Sequence, residues 1–206
     1  MLDQYREMQM FFDAKAESWR SPIPYDQRLG KLFARLDFPA RSRILDLGCG
    51  TGRALPYILE RARNPEQIIA VDISAQMLRN MPTRLRSQCS ILQGMIELLP
   101  LRDASVDVLL NCCVFPHLIR KELALREFYR VLKPGGSYYI LHPEGIGGTN
   151  RIHRQAGPPV HEHLLPSNQE LIRMVTNAGF TVLETVDEDH NYLLSAKKAQ
   201  RPEKER

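Results

Sequence analysis

No apolar run in this sequence approaches the ~18 residues that a membrane-spanning helix requires. The opening stretch, MLDQYREMQMFFDAKAESW, carries charges throughout and lacks the apolar centre of a signal peptide. Cysteine is scarce. There are four, Cys49, Cys89, Cys112 and Cys113, with no CxxC spacing and two of them adjacent. That pattern suits neither a zinc site nor a simple disulfide framework, so a reduced, cytoplasmic protein is expected. A dominant charge sign is also missing. The formal net charge over 206 residues is +4, part of it in the closing stretch from Lys197. Neither nucleic acid nor a membrane is therefore expected as a partner. Residues 198–206 read as a disordered tail. There is no internal repeat. What is present is ordinary for one globular domain: 43% hydrophobic and 25% charged residues, enough for a core.

Met8, Phe11, Phe12, Ala16 and Trp19 recur at roughly helical spacing. After a break at SPIP (21–24), Tyr25 to Leu36 reads as a second helix, ended by Pro39. Short β-rich runs follow at 43–47, 67–72, 89–93, 106–111 and 136–142, with helical candidates between them at 53–62, 74–81 and 121–132. Several of these runs are apolar throughout, as strands covered on both faces should be. The alternation predicts an α/β fold with a parallel sheet and right-handed crossovers. The chain then changes character. Residues 168–178 predict a helix stopped by Gly179. The runs 180–187 and 190–197 are joined too tightly for a crossover helix, so the last strand must run antiparallel. Residues 143–166 show no clear period and are rich in Gly, Pro and His. A loop of that length inside a compact domain is expected to be functional.

ILDLGCGTGR (44–53) is an apolar run that ends in glycines at alternate positions. A strand ending there puts bare backbone at the carboxyl edge of a parallel sheet, where open α/β sheets bind ligands. A dinucleotide turn needs a glycine at its sixth position, which here is Arg53. A phosphate-binding P-loop needs Gly-Lys-Ser/Thr, which is absent. Asp46 places negative charge beside the turn, which repels a diphosphate and suits a cation. The next strand ends in VDIS (71–74). Its Asp72 has two readings: a carboxylate that accepts ribose hydroxyls, or an N-cap for the helix near Ser74.

At these residues the sequence resembles the class I S-adenosylmethionine-dependent methyltransferases, in particular the type 11 methyltransferase family. ILDLGCGTG, VDIS, GMIELLPLRDASVDVLL (94–110) and LREFYRVLKPGGSYYI (125–140) carry the resemblance, with FDAKAESW (12–19) like a segment that covers the cofactor in relatives. It implies a Rossmann-like seven-stranded sheet, six strands parallel and one antiparallel, with helices on both faces. Residues 1–40 would be a helical lid segment of the same domain, and 41–197 the methyltransferase domain with a substrate-side insertion at 143–166. The implied cofactor is S-adenosyl-L-methionine. Gly48, Cys49 and Gly50 would approach its methionine part and sugar, Asp46 its positively charged end, Asp72 the ribose, and Ile73 one face of the adenine. Asn111 would lie near the methionine moiety. Relatives commonly carry Asp after the glycine at 94; here Met95 stands there, so Met95 and Ile96 would hold the adenine with backbone atoms. That departure slightly favours an alternative, a protein that binds the cofactor or its demethylated product without catalysis.

The resemblance implies a small-molecule methyl acceptor, read by the N-terminal segment and the 143–166 insertion. His142, at the carboxyl end of the fifth strand, is a candidate general base; the other reading is a histidine that fixes the loop by a hydrogen bond. His153, flanked by Arg151 and Arg154, is a second catalytic candidate, and the two arginines could clamp an anionic acceptor or form a solvated face. Phe12 and Trp19 would line the acceptor side or pack the helix. His153, His161 and His163 do not make a metal site on this reading, because nothing supplies supporting contacts and methyl transfer needs no metal. Cys112 and Cys113 read as buried, inert thiols. Nothing in these motifs specifies an oligomeric state.

The turn makes one binding prediction. Calorimetry should detect S-adenosylmethionine and its demethylated product but not NAD, because Arg53 occupies the last glycine position of a dinucleotide turn. Comparable heat from NAD would refute the nucleoside assignment.

Overall fold

The computed structural model describes residues 2–19, 23–62 and 67–200. Helix α1 (Leu2–Lys15) and helix α2 (Ile23–Phe33) precede strand β1 (Ile44–Leu47) and helix α3 (Leu55–Leu59). Strand β2 (Ile68–Asp72) leads into α4 (Ala75–Asn80), the single-turn α5 (Thr83–Arg86) and β3 (Ser90–Gln93). Then come β4 (Val106–Cys112), α6 (Lys121–Val131) and β5 (Leu132–His142). The chain ends in α7 (Ile146–Gln155), α8 (Asn168–Asn177), β6 (Phe180–Glu188) and β7 (Asn191–Lys198).

The seven strands form one sheet in the order β3-β2-β1-β4-β5-β7-β6. β1 pairs in parallel with β2 and β4, β2 with β3, and β4 with β5. β7 alone is reversed, antiparallel to both β5 and β6. Every strand expected from the pattern is present within a residue or two, except that β5 starts earlier, at Leu132. Its KPGG stretch is part of the strand, with a register shift opposite Val106/Val108.

The alternation along each strand sorts residues into two apolar clusters. Leu45, Leu47, Ile69 and Val71 join Leu125 and Phe128 of α6 and Leu171 and Val175 of α8. Ile44, Ile68, Val108 and Leu110 join Leu29, Leu32 and Phe33 of α2 and Leu55 and Ile58 of α3. α2 therefore belongs to the core. α1 is held differently. Its Asp13 Oδ1 accepts from the Ser74 hydroxyl at 2.6 Å and from the Gln76 backbone N–H at 3.0 Å. A side chain of α1 thus caps the start of α4, where an anion is favoured by the exposed N–H groups.

Two expectations are corrected. The 143–166 segment is not a structureless loop: it contains α7 and a 3-10 turn at Val160–Glu162. Gly147 and Gly148 lie inside α7, so they are not hinge points. The period was hidden because α7, IGGTNRIHRQ, has few apolar residues to mark it. The tail does not start at 198 either. Lys198 closes β7, and its Nζ donates to the carbonyls of Tyr129 at 2.6 Å and Leu132 at 2.8 Å. Residues 201–206 lie outside the described residues. Among the described residues no helix is long and apolar enough to cross a membrane.

The root of α7 is tightly built. Glu144 is paired with Arg28 of α2, and the Ile146 N–H donates to Asp187 Oδ1 at 2.9 Å. A Cβ on Gly145 would sit 2.2 Å from the Glu188 carbonyl oxygen, whereas one on Gly147 would meet nothing within 4 Å. Gly145→Ala should therefore destabilise the fold by about 1–3 kcal/mol. Gly147→Ala, in the same helix, should be neutral or stabilising by up to roughly 1 kcal/mol. Denaturant midpoints of the two variants check this; equal midpoints would refute the packing argument.

Candidate functional site

β1 ends at Leu47, and the chain turns through Gly48, Gly50 and Gly52, all in the left-handed region at φ +65°, +55° and +87°. The glycines do different jobs. A Cβ on Gly48 would lie 2.5 Å from Val114 Cγ2, so that glycine is required by packing against the loop after β4. A Cβ on Gly50 would meet no atom within 4 Å. Its bare face opens into a cleft of about 940 Å³ of non-protein space, part of it open to solvent. The turn is tied to β2 by Cys49 N–H donating to the Val71 carbonyl at 2.9 Å.

Asp72 organises the mouth of this cleft. Its Oδ2 accepts from Gly50 N–H at 2.7 Å and its Oδ1 from Ser74 N–H at 2.8 Å. The N-cap of α4 is Ser74, whose hydroxyl oxygen accepts from Met77 N–H at 3.0 Å. The cap reading of Asp72 is thus replaced by a clamp between two loops. Each carboxylate oxygen keeps a further lone pair for a ligand hydroxyl. Burial raises the Asp72 pKa, while the Ser74 and Gly50 N–H groups oppose that rise.

Asp46 is the opposite case. It is 1% exposed, and its Oδ2 has no hydrogen-bond partner. Burial, then the neighbouring Asp72 charge and Cys113, push its pKa up to about 8. A buried carboxylate without a partner costs free energy, and this one lines the same cleft as Gly50 and Asp72. Its chemistry fits the cationic amino and sulfonium groups of S-adenosylmethionine, and the open side of Gly50 leaves room for a ligand.

All but one of the expected cofactor residues line this single cleft: Asp46, Gly48, Cys49, Gly50, Asp72 and Ile73 from the first two strands, Met95 and Ile96 from the third. Asn111 does not. It is fully buried on β4 and outside the lining. Its neighbours along the chain, Cys112 and Cys113, line the cleft instead.

The acceptor side departs further from expectation. Phe12 and Trp19 do line the cleft, in edge contact with each other at 5.7 Å. His142 is 3% exposed, outside the lining, and burial lowers its pKa to about 3. It is too weakly basic and too enclosed to serve as the general base. Arg151 and Arg154 are exposed on α7, outside the lining, and do not clamp anything in the cleft. His153 is half-buried, and its Nδ1–H donates to the His163 carbonyl. Its ring stacks on His117 at 4.9 Å. Among the described residues no group of three or more His, Cys, Asp or Glu is arranged to hold a metal ion.

His117 is the residue that sequence reasoning missed. It sits in the short 3-10 turn Phe115–His117, lines the cleft, and meets Phe12 edge-on at 5.1 Å. Its Nδ1 has no hydrogen-bond partner. Burial, followed by the electrostatic influence of His153, His163, His142 and Lys121, holds its pKa well below 6.5, so its imidazole is neutral at pH 7. The signal was a histidine five residues after the end of a central strand, within the segment that also supplies Val114.

Asp46 sets a pH dependence. Its folded-state pKa of about 8 lies above the ordinary 3.8. Between those values the native state holds more protons than the unfolded one, so stability falls as pH rises through that window. Asp46→Asn should flatten this decline and stabilise the unliganded chain near pH 8 by roughly 1–3 kcal/mol. It should also weaken S-adenosylmethionine binding by ~tenfold or more, the loss of a charge-assisted contact of ~1.5–3 kcal/mol. Thermal melts across pH and calorimetry check both; a variant less stable at pH 8 would refute the assignment.

Residues 45–140 match the family described as "Methyltransferase domain". The chain is 34% identical over 154 residues to malonyl-acyl-carrier-protein O-methyltransferase of a Marinomonas species, covering 73% of this chain and 56% of that protein. It is 28% identical over 196 residues to the S-adenosyl-L-methionine-dependent Diels-Alderase iccD of Talaromyces variabilis, covering 84% of this chain and 66% of that one. The fold superimposes with TM-score 0.75 on the Haloferax volcanii methyltransferase solved with its Trm112 activator, at 20% identity, over 92% of this chain and 98% of that one. The chain spans about half the length of the curated relatives it matches. The sequence matches place it in the class I S-adenosylmethionine-dependent methyltransferases, a family that uses S-adenosylmethionine as its methyl donor, and the superposition shows the shared fold.

Proposed function

We propose that this chain transfers a methyl group from S-adenosylmethionine to a small organic acceptor that enters the cleft beside Phe12, Trp19 and His117. The observation that carries the reading is the unpaired, buried Asp46 carboxylate in one cleft with the Asp72 clamp and the open face of Gly50. S-adenosylmethionine supplies an activated methyl on a sulfonium centre, so the protein's task is orientation and exclusion of water. Asp46 faces the cationic end, Asp72 accepts from the ribose, and Ile73, Met95 and Ile96 enclose the base. The two apolar clusters support helices on both faces of the sheet, which make this frame rigid. α1, pinned through Asp13, serves as the lid. The acceptor is smaller than a nucleic acid or protein surface, since the wall facing it is aromatic and enclosed.

The role first considered for His142 passes to His117. Its neutral imidazole, lining the cleft, can accept a hydrogen bond from the acceptor through a ring nitrogen and hold its reacting atom in line. His153 supports it by stacking. A second reading has a specific observation behind it. The relative named as a Diels-Alderase matches most of the chain, so the same cleft could shape a reacting substrate while the cofactor stays intact. Incubation with methyl-labelled cofactor and a metabolite extract separates the two: label appears in a small molecule on the first reading, and the cofactor is recovered unspent on the second.

His117→Ala should cut single-turnover methyl transfer by about 10²-fold, the scale of a misplaced acceptor, with cofactor affinity nearly unchanged. His142→Gln should reduce transfer far less, because its ring does not reach the cleft. The reverse order of effects would return the acid–base role to His142.

A further inference from the structure

We propose that Cys112 and Cys113 form a peroxide-oxidisable dithiol in the wall of the cofactor cleft, convertible into a disulfide between adjacent residues. In a strand, neighbouring side chains point to opposite faces. Cys112 is the last residue of β4, but Cys113 adopts φ +62°, a left-handed conformation uncommon for a residue with a side chain. As a result both cysteines line the same cleft. The two thiols are neighbours in that wall, and Arg53 Nη1 lies 3.8 Å from Cys113 Sγ. Strained backbone of this kind is concentrated at functional sites. The other two cysteines stand apart: Cys49 is buried in the glycine turn, and Cys89 sits between α5 and β3.

The surroundings divide the labour between the thiols. The adjacent Cys112 thiol and the Arg53 guanidinium lower the Cys113 pKa against the opposing effect of burial. The adjacent Cys113 and burial raise Cys112 well above its ordinary value. Cys113 is then the nucleophile. Its thiolate attacks a peroxide oxygen; the S–O bond forms, the O–O bond breaks, and with one proton the departing oxygen leaves as water. The Cys112 sulfur attacks the resulting sulfenic acid, giving up its proton; the S–S bond forms and the second oxygen leaves as water. Two thiols and one peroxide give one disulfide and two waters. Adjacent α-carbons are ~3.8 Å apart, closer than the usual span of a disulfide. Such a bridge is readily reduced again, as a reversible modification requires.

The test treats the full chain with hydrogen peroxide, removes the peroxide, blocks remaining thiols by alkylation in denaturant, and maps peptides by mass. The peptide holding Cys112 and Cys113 should lose the mass of two hydrogens and resist alkylation, and dithiothreitol should reverse both changes. Cys49 and Cys89 should still be alkylated. In Cys112→Ser, dimedone should trap a sulfenic acid on Cys113, and Arg53→Met should slow oxidation by roughly tenfold below the thiol pKa. Oxidation of Cys89 ahead of the pair, or advance of Cys113 to sulfinic acid without a bridge, would overturn the proposal. So would a rate unchanged in Arg53→Met when its circular dichroism and melting match the parent.

Discussion

Asp72 joins the two loops that leave neighbouring strands at the carboxyl edge of the sheet. One oxygen receives the Gly50 N–H and the other the Ser74 N–H, so a single side chain fixes the turn after β1 against the start of α4. Ser74 in turn donates to Asp13, which fastens α1 over the same edge. The chain of contacts from the glycine turn to α1 therefore runs through one carboxylate and one hydroxyl. Bonds of this charge-assisted kind are worth ~1.5–3 kcal/mol each. A ligand that adds hydroxyl donors to Asp72 joins a network already formed, which lowers the ordering cost of binding.

That clamp imposes a cost on its neighbour. Asp46 stands one strand away, buried and without a partner at Oδ2, in the field of Asp72. Two apolar clusters built from the flanking residues Ile44, Leu45 and Leu47 keep it in place despite that cost. The protein thus spends core stability to hold one unpartnered carboxyl group in the wall of the cleft, held largely protonated at neutral pH by burial. A cation in the cleft relieves that group, and its binding should release a proton near neutral pH. The negative potential of Asp72, joined by Asp46 once a cation draws off its proton, also discriminates: it disfavours the phosphates of a dinucleotide and favours a nucleoside that carries positive charge.

Most of the fold was legible because its signals are local. Apolar runs such as ILDL and IIAVD can only be strands buried on both faces, and the tight joint at 189–190 forces β7 to reverse. The cofactor end was legible for a related reason: three glycines, Asp46 and Asp72 lie at strand ends, whose direction the alternating pattern already implies. Asn111 failed by one residue. The strand period places Asn111 on the face of Leu109, away from the cleft, and Cys112 on the other. α7 failed because polar residues and two glycines mask its period, so its ordered root at Arg28 and Glu144 left no mark in its own sequence.

The acceptor wall was not legible, and the cause is geometric. His117, His153 and His163 come from three separate segments, after β4, within α7, and beyond the 3-10 turn at 160–162. Their rings meet at 4.9 and 5.7 Å only because α7 folds back over the end of β4. No spacing rule connects residues 117 and 153. The consequence is chemical as well as spatial. Three imidazoles packed together disfavour protonation of one another, and burial adds to this, so the wall stays neutral where an isolated histidine would begin to charge. The neutral wall beside Phe12 contrasts with the carboxyl groups of Asp46 and Asp72 elsewhere in the cleft. The positive ligand is therefore drawn to one end of the cleft, and an uncharged, hydrogen-bonding acceptor is the species that the other end accommodates at least cost.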